Sequence, residues 1–370
     1  MNGKVTSDIK TSGANKHPWS EHINFADAPV EAPEFVIDNV IAAGAVAIAG
    51  FRGIGKTSCL IPLILNAAHL VKQSQVRATI CRQIFYITED PRQVMTIIAG
   101  MYKTGEITCD TEHFNRMFHI VDAKRISPNA IASFVDELHQ FKQPNKRIDG
   151  SIFNAWPVTV LDTTNASIDL DNINDNAEVS AAISAIRSGF KSLPIVFVGH
   201  VPKAQGNSAN SASFMGAGAW ENDTQQTLYL RMEGEKRLLS MGKRRFECEV
   251  TDYEIKSIYA EIPARNQLGR DVRIRSVYGK ASPISKAQLE LIKVEQAKRK
   301  ATALQNRISN TIKATPGIKI ADIKKRIGGS GQTITDAIAL LERNDQIRIE
   351  MRGRAKHCYP SEQMGSTVIA

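Results

Sequence analysis

The chain has 370 residues, 42% of them hydrophobic, and carries a formal net charge of +9 with a pI of about 9.3. This length exceeds what one small core needs and predicts two domains with tails, while the hydrophobic fraction is sufficient for packed interiors. The positive charge favours an anionic partner.

Cysteine usage and N-terminal composition exclude several classes of protein. The five cysteines are odd in number and show no Cys-x-x-Cys spacing, which disfavours a disulfide framework or a zinc site and predicts a reducing, cytoplasmic location. The first 20 residues lack the apolar segment of a signal peptide, and no apolar run approaches membrane-spanning length.

Residues 1–30 are polar and are predicted to form a tail or arm. The first strongly patterned stretch is a predicted apolar strand over residues 44–50, which continues as Gly-Phe-Arg-Gly-Ile-Gly-Lys-Thr over residues 50–57. This stretch, called the P-loop below, fits the phosphate-binding pattern G-x-x-x-x-G-K-[ST] and precedes a predicted helix over residues 57–70. The flanking strand and helix disfavour the alternative, a glycine-rich turn that matches by chance.

The P-loop predicts a site for ATP and Mg²⁺. Its glycines let backbone N–H groups surround a phosphate at the positive end of a helix. Lys56 is expected to reach the β- and γ-phosphates, and the Thr57 hydroxyl is expected to bind Mg²⁺. The residues predicted to bind nucleotide are Gly50, Arg52, Gly53, Ile54, Gly55, Lys56, Thr57 and Ser58.

Further apolar strands are predicted over residues 83–88, 157–162 and 194–200, with helical patterns between them and late strands over residues 228–231 and 237–241. This alternation predicts an α/β fold with a mainly parallel sheet and helices on both faces. Such sheets place their chemistry at the carboxyl ends of the strands. Here the strand ends carry Gly50, Glu89, Asp162 and His200.

Two carboxylates at these strand ends are candidates for catalysis. Asp162 ends an apolar strand, as a Walker B residue does, and is expected to hold the Mg²⁺ shell; a plain turn aspartate is the alternative. Glu89 is the candidate for activating the attacking water, and Asp90 for orienting the glutamate or the metal. Asp90 stands before Pro91, where the alternative role is that of a helix N-cap, and both roles remain open.

Three further residues are candidates for sensing or completing the site. His200 could report the presence of the γ-phosphate through a hydrogen bond, and local packing of the ring is the alternative. Lys243 and Arg245 lie two apart and are expected to share a strand face and to act as an arginine finger, often supplied by a neighbouring subunit. The alternative is a solvated basic hairpin.

Residues 206–218 are rich in Gly, Ser, Ala and Asn and are predicted to form a mobile loop. In a ring-shaped motor such a loop can face the central channel and touch nucleic acid, and Lys203 is the nearest cation. A plain linker is the alternative.

The ordered motifs resemble the RecA-fold ATPases of the RepA-type hexameric helicase group of plasmids and phages, whose wider relatives include the KaiC and RadA proteins. The segments that carry the resemblance are AGFRGIGKTS, FYITEDP, VTVLDTT, IVFVGH, GAGAWENDTQQTLYL and LLSMGKRRF, within about residues 33–255. The resemblance implies Lys56 and Thr57 on nucleotide and Mg²⁺, and Asp162 on the metal. It also implies a homo-hexameric ring.

For the remaining site residues the resemblance implies more specific roles. Glu89 would be the catalytic carboxylate, supported by Asp90, and His200 the sensor. Lys243 and Arg245 would form a finger pair that reaches the next subunit.

Nearly all of the net positive charge lies in the last quarter of the chain, where residues 281–362 contain 16 Lys and Arg against 8 Asp and Glu. A linker helix is predicted over residues 281–303, and a winged-helix DNA-binding domain over residues 304–360. The third helix of that domain, over residues 333–343, would enter the major groove, and Arg352, Arg354 and Lys356 would meet phosphates. A winged helix used for protein contacts, or a solvated basic face, is the alternative.

The predicted organisation is therefore a tail or arm (1–30), a RecA-like ATPase core (31–280), a linker helix (281–303), a winged helix (304–360) and a disordered tail (361–370). The favoured function is an ATP-driven ring motor on DNA, with single-stranded DNA in the channel and duplex at the winged helix. This would be a replicative helicase or loader of a phage, plasmid or other mobile element, with no membrane partner. A DNA-bound ATPase switch that assembles without unwinding is the alternative, and a transcription regulator with a sensory nucleotide site is a weaker third.

Overall fold

The computed structural model describes residues 32–72, 75–191, 193–201, 218–248 and 250–361. The expected arm, the end of the expected C-terminal tail, most of the expected mobile loop and Lys203 lie outside the described residues.

The described elements follow the predicted order of strands and helices, with short 3-10 turns after two of the helices. The strands are β1 (Phe35–Ile37), β2 (Ile41–Ala42), β3 (Ala45–Gly50), β4 (Ile84–Thr88), β5 (Phe118–Asp122), β6 (Gln143–Lys146), β7 (Ile152–Ala155), β8 (Val158–Asp162), β9 (Ile195–His200), β10 (Gln226–Glu233), β11 (Lys236–Arg244), β12 (Asp252–Arg265), β13 (Asp271–Ile284), β14 (Ile318–Lys319), β15 (Ile347–Arg352) and β16 (Ala355–Pro360). The helices are α1 (Lys56–Ile64), α2 (Pro91–Lys103), α3 (Thr111–Met117), α4 (Pro128–Leu138), α5 (Thr164–Ser167), α6 (Asn176–Phe190), α7 (Ala219–Asn222), α8 (Lys286–Ala314), α9 (Ile320–Ile327) and α10 (Gly331–Arg343).

A nine-stranded sheet forms the centre of the structure, in the order β13-β12-β11-β10-β3-β9-β8-β4-β5. The strands from β10 to β5 are parallel, and β11, β12 and β13 extend the sheet as antiparallel neighbours. The expected α/β class with a large, mainly parallel sheet is thereby confirmed.

Each face of this sheet is covered by its own hydrophobic core. Along β3, Val46 and Ile48 point into the core that contains α1 and α2, whereas Ala45, Ala47 and Ala49 point into the core that contains α4 and α6. All six residues of β3 are buried. A strand buried on both faces reads as a continuous apolar run, which is why the sequence shows it clearly.

The long β12–β13 hairpin is a feature that the sequence patterns did not predict. It packs against α1 and α2, where a Cβ at Gly100 would lie only 2.6 Å from the Cβ of Ser276. The hydroxyls of Thr104 and Tyr278 lie 2.8 Å apart at the end of the same contact. The hairpin therefore belongs to the main core, and β13 continues to Ile284, beyond the expected boundary at residue 280.

The C-terminal part has a small core of its own, formed by residues from α8, α9, α10 and a three-stranded sheet in the order β14-β16-β15. Its buried side chains include Ile308, Ile323, Ile338 and Cys358. The expected linker helix over residues 281–303 continues without a break into this part as one helix, α8. The expected boundary between residues 303 and 304 therefore falls inside a helix.

Within the described ranges, no helix combines the length and the apolar character that crossing a bilayer requires.

The contact between α2 and the β12–β13 hairpin can be tested with Gly100→Ala. Alanine gains about 1 kcal/mol in helix propensity, but its methyl group meets Ser276, and overpacking costs about 1–3 kcal/mol. We expect a lower melting temperature in thermal unfolding. Ala99→Gly, at an exposed position of the same helix, is the control and should lose only the propensity difference. A higher melting temperature for Gly100→Ala would show that the hairpin does not pack there.

Candidate nucleotide site

Four parallel strands bring the predicted residues to one edge of the sheet. In the ladder, Gly50 pairs with His200, and Thr88, the residue before Glu89, pairs with Asp162. Because β3, β9, β8 and β4 are direct neighbours, their carboxyl ends line a single cavity of about 1070 Å³. Its lining comprises Arg52, Gly53, Gly55, Lys56, Thr57, Thr88, Glu89, Asp90, Gln93, Asp162, Thr163, Asn165, His200 and Val201.

The P-loop has the backbone shape that its glycines permit. Gly53 and Gly55 have φ values of 81° and 86°, a backbone conformation that residues other than glycine rarely adopt. A Cβ at Gly55 would also lie 2.7 Å from the Ser58 hydroxyl, which donates to the Gly55 carbonyl. Ser58, which is predicted to bind nucleotide, therefore stabilises the conformation of the P-loop through this hydrogen bond.

Lys56 carries its positive charge into a buried position at the start of α1. Its ammonium donates to the carbonyls of Gly50 and Phe51 at 3.0 and 3.3 Å and lies 2.9 Å from Nδ1 of His200. Burial lowers the pKa of Lys56 to about 8; the Asp162 carboxylate opposes this effect, and the charge of Arg52 adds to it. The ammonium is thus held at the base of the cavity, facing the place where a phosphate would enter.

His200 lies directly beside this ammonium. Burial lowers the pKa of His200, and the charges of Lys56 and Arg52 lower it further. A neutral ring can accept the hydrogen bond from Lys56 through Nδ1. The two side chains are therefore coupled, and a phosphate that attracts Lys56 would change the bonding of His200.

Asp162 accepts two hydrogen bonds on the same oxygen. The Tyr86 hydroxyl donates to Oδ2 at 2.6 Å, and the Thr57 hydroxyl donates to it at 2.9 Å. Burial raises the pKa of the Asp162 carboxyl, while these two bonds and the charge of Lys56 oppose that rise. Tyr86 is fully buried in β4, and its contact was not predicted because an aromatic residue in a strand usually serves packing.

The donor set at this point fits Mg²⁺. A hydroxyl and a carboxylate lie within hydrogen-bond distance of each other and provide only oxygen ligands, which Mg²⁺ prefers. Thr57 and Asp162 would hold the ion, with Tyr86 fixing the carboxylate. No group of three or more His, Cys, Asp or Glu side chains suited to a metal occurs in the described part of the chain, so the remaining ligands would be phosphate and water.

The two acidic residues after β4 have different environments. Glu89 is exposed at the cavity, and its charge acts on Lys56. The Asp90 carboxylate accepts a hydrogen bond from the Gln93 backbone at 3.0 Å and forms the N-cap of α2, with Pro91 as the first helical residue. The structure thus shows the capping role of Asp90 and leaves Glu89 as the carboxylate free to face a ligand.

Lys243 and Arg245 lie far from the P-loop of their own chain. β11 runs antiparallel to β10, so Lys243 donates through its backbone to Thr227, at the end of the sheet opposite Gly50. The Lys243 ammonium donates to the carbonyls of Glu221 and Asn222 at 3.0 and 2.6 Å. Arg245 is exposed and directly follows the last residue of β11.

A second cleft adjoins the first across the tip of the P-loop. Its volume is about 750 Å³, and Arg52 and Gly53 line both clefts. Arg237 from β11 forms part of its wall and donates to the Ile54 carbonyl at 3.1 Å. Tyr259 from β12 is 54% exposed, and the Arg275 guanidinium lies 3.9 Å from the centre of its ring. The sequence did not identify Arg237 or Tyr259, because their positions depend on strand pairing across about 180–200 residues.

The turn between β10 and β11 connects this wall to the C-terminal part. Glu235 in the turn lies 3.0 Å from the Arg299 guanidinium on α8. Arg237 stands two residues further along, at the P-loop. A short run of contacts therefore leads from the P-loop to the long helix.

Comparison with known proteins leaves the family open. No family model matches the sequence, and no curated protein matches it. Among solved structures, the crystal structure of the RadB recombinase is similar at 12% sequence identity and a TM-score of 0.39, over 58% of this chain and 87% of that chain. A likeness at this TM-score carries no information about function.

The lowered pKa of Lys56 leads to a test by calorimetry. With a pKa of about 8, part of the Lys56 population is neutral at pH 8 in the nucleotide-free chain. A triphosphate favours the charged form, so binding should take up as much as about half a proton at pH 8 and almost none at pH 6.5. Titration in buffers of different ionisation enthalpy measures this uptake. It should persist in His200→Asn, and its absence in the wild-type chain would contradict the assignment.

Proposed function

We propose that the chain is a Mg²⁺-dependent ATPase with a RecA-like core that acts on DNA. The observation that carries the proposal is the convergence of Lys56, Thr57, Asp162 and Glu89 in one cavity at the carboxyl ends of adjacent parallel strands. A glycine loop, a buried cation, an oxygen-only metal position and a free carboxylate are the parts that phosphoryl transfer requires.

Each residue has a task that its surroundings support. Lys56 binds and orients the terminal phosphates, and the P-loop N–H groups surround them. A Mg²⁺ ion held by Thr57 and Asp162 would neutralise charge on the phosphate oxygens. Glu89 orients a water molecule and receives its proton, since it is the exposed carboxylate that faces the cavity. His200 exchanges hydrogen-bond partners with Lys56 when the γ-phosphate leaves.

The second cleft is suited to the nucleoside half of ATP. It meets the phosphate cavity at Arg52 and Gly53, and its lining combines Phe51 and Ile54 with the half-exposed ring of Tyr259. A base stacks well on an aromatic side chain that carries a polar edge. Arg237 closes the wall between the two clefts and keeps the P-loop in place.

The position of Arg245 supports action on a neighbouring subunit. It lies at the edge of the sheet opposite its own P-loop, so it can complete only the site of another copy, as in a homo-hexameric ring. Lys243 would join it after releasing the carbonyls at the end of α7. A cation from a neighbouring subunit would add to the positive charge that Lys56 and Arg52 already provide near the transferring phosphoryl group.

Mixing two inactive variants tests this arrangement. Glu89→Gln should bind ATP but hydrolyse it at least about 100-fold more slowly, because the water loses its base. Arg245→Ala should lose hydrolysis to a similar degree. Mixed subunits should regain part of the activity, since some interfaces then combine an intact Glu89 with an intact Arg245. Unmixed samples are the control, and no recovery on mixing would show that Arg245 does not act in trans.

The C-terminal part is proposed to be a winged helix that binds duplex DNA. Its three helices pack over a small sheet whose β15–β16 hairpin carries Arg352, Arg354 and Lys356. The exposed face of α10 has two acidic residues, Asp336 and Glu342, so phosphate contacts fall to the wing and to the basic α9. The helix itself would read base edges.

Salt dependence of DNA binding measures the role of the wing. Replacing Arg352, Arg354 and Lys356 by Gln should reduce the slope of log affinity against log salt by about 2.5, because each phosphate contact contributes about 0.9. Fluorescence anisotropy with a labelled duplex provides the affinities. The control replaces Arg265, Arg270 and Arg273 at the β12–β13 turn by Gln, which removes equal charge. An unchanged slope in the wing variant would refute the contact.

Two modes of action share this site. The first is a translocating ring, the replicative helicase of a phage, plasmid or other mobile element, and it is supported by the position of Arg245. The second is a DNA-bound switch, such as a recombination mediator or regulator, that does not unwind. The contacts from the P-loop through Arg237 and Glu235 to α8 favour the second mode, because they connect the nucleotide site to the proposed DNA-binding part.

Strand displacement on a forked duplex separates these modes. A ring motor should release the labelled strand with ATP, and Glu89→Gln should not. Hydrolysis stimulated by single-stranded DNA without displacement would exclude the helicase and support the switch. Mass in solution, with and without DNA and an ATP analogue, reports whether a ring forms.

A further inference from the structure

A small hairpin stands apart from the main sheet at the amino-terminal ends of its strands. It comprises β6, β7 and the turn between them, residues 143–155, and is called the amino-edge hairpin here. The Asn145 side-chain amide forms two hydrogen bonds with the backbone of Cys81. It accepts from the Cys81 N–H at 2.8 Å and donates to the Cys81 carbonyl at 2.9 Å. Arg82 donates to the Trp156 carbonyl at 2.7 Å. The hairpin is therefore anchored to residues that precede β4 and β8, at the end of the sheet opposite the nucleotide site.

The two faces of the hairpin differ. Asn145 and Phe153 form a pair on the half-buried inner face, whereas Lys146 and Ile152 form a pair on the exposed outer face. Ile152 is 72% exposed. An apolar side chain therefore stands beside a cation on the surface that faces away from the molecule.

The tip is a formed turn that holds Ile148 outward. Arg147 and Ser151 are joined by a backbone hydrogen bond of 2.8 Å, and Gly150 has a φ of 86°. The Asp149 carboxylate accepts from the backbone and hydroxyl of Ser151 at 2.9 and 2.7 Å, so it closes the turn. Ile148 is fully exposed, so covering its side chain with an apolar surface of another molecule would be favourable.

Three cations lie on or beside the hairpin: Lys146 beside Ile152, Arg147 next to Ile148 in the chain, and Lys142 before β6. Lys142 lies 3.8 Å from the centre of the Trp156 ring, and the Arg147 guanidinium lies 4.9 Å from that of Phe153. These contacts hold the cations in place, and the nearby Asp149 carboxylate offsets part of the charge of Arg147. Neither these two nor Lys146 forms a salt bridge with any carboxylate in the described ranges.

We infer that the amino-edge hairpin binds DNA at a junction between single and double strands. Lys146 and Arg147 would contact phosphates, and Ile148 would pack on the face of the terminal base pair. A two-stranded ribbon is narrow enough to enter a DNA groove, and apolar side chains flanked by cations are used to separate stacked bases. A protein partner would need to supply several carboxylates, whereas a phosphate backbone supplies the complementary charge along its whole length.

This inference goes beyond the proposed function, although it rests on that function for the choice of DNA as the ligand. The hairpin lies at the edge of the sheet opposite the nucleotide site and is separate from the wing. Its variants should therefore leave the DNA-independent ATPase rate unchanged, because none of its residues lines the nucleotide cavity.

The experiment compares labelled forked DNA with blunt duplex by fluorescence anisotropy at several salt concentrations. Ile148→Ser should reduce the preference for the fork about fivefold and leave duplex affinity unchanged. Lys146→Gln with Arg147→Gln should weaken fork binding about tenfold and lower the salt slope by about 1.5. Both variants alter exposed side chains, and thermal unfolding confirms that they fold.

Matched controls come from the other hairpin. Leu268→Ser removes an apolar side chain that is 77% exposed at the β12–β13 turn, and Arg265→Gln with Arg273→Gln removes the same charge. Neither control should change the fork preference.

Three outcomes would overturn the inference. An unchanged fork preference and salt slope in the hairpin variants would overturn it while leaving the proposed function intact. A smaller mass in solution for Ile148→Ser, with DNA binding unchanged, would make the hairpin a contact between copies. If the wild-type chain binds neither the forked DNA nor the blunt duplex, both the proposed function and the inference about the hairpin are wrong.

Discussion

Lys56 brings a positive charge into the interior at the end of β3, and the surrounding structure supports that charge. Two backbone carbonyls and the ring of His200 accept from its ammonium, and Asp162 lies close enough to oppose the effect of burial on its pKa. A buried cation without such partners would cost several kcal/mol. These partners come from β3, β9 and β8, so the site depends on the order of the strands.

The same order explains how the proposed metal position is formed. Thr57 lies in the first turn of α1 and Tyr86 lies in β4, yet both donate to one carboxylate oxygen of Asp162 at the end of β8. Two hydrogen-bond donors hold the carboxylate in one orientation. The side chain therefore loses less conformational freedom when a metal ion binds. Tyr86 is therefore a positioning residue in this arrangement, and its contribution is to the geometry of Asp162.

The two edges of the sheet have different surfaces. The carboxyl edge carries the P-loop and the two clefts, while the amino edge carries Lys243, Arg245 and the amino-edge hairpin. In the proposed ring, nucleotide is bound at one edge and cations act from the other, so neighbouring copies are joined through opposite edges. The β10–β11 turn adds a route from the nucleotide to α8, since it touches both the P-loop wall and the long helix.

Sequence alone determined the features that depend on neighbours in the chain. The P-loop needs glycines at two left-handed positions, the parallel strands are continuous apolar runs, and the C-terminal helices show regular apolar spacing. Capping of α2 by Asp90 was also foreseen as one of two roles, because an N-cap is a local interaction.

Tertiary structure decided the features that depend on distant pairings. The β12–β13 hairpin mixes apolar and charged residues on both faces, since α1 and α2 cover only part of it, so no clean alternation marks it. The contacts of Tyr86 with Asp162 and of Arg237 with Ile54 span 76 and 183 residues. The continuity of α8 was hidden because only its C-terminal half contributes buried residues to a core, whereas its first half is largely exposed and lacks a regular apolar face. A local sequence pattern shows which side of a helix or strand is buried. It does not show which helices and strands are packed together in the folded chain, and the contacts named above depend on that packing.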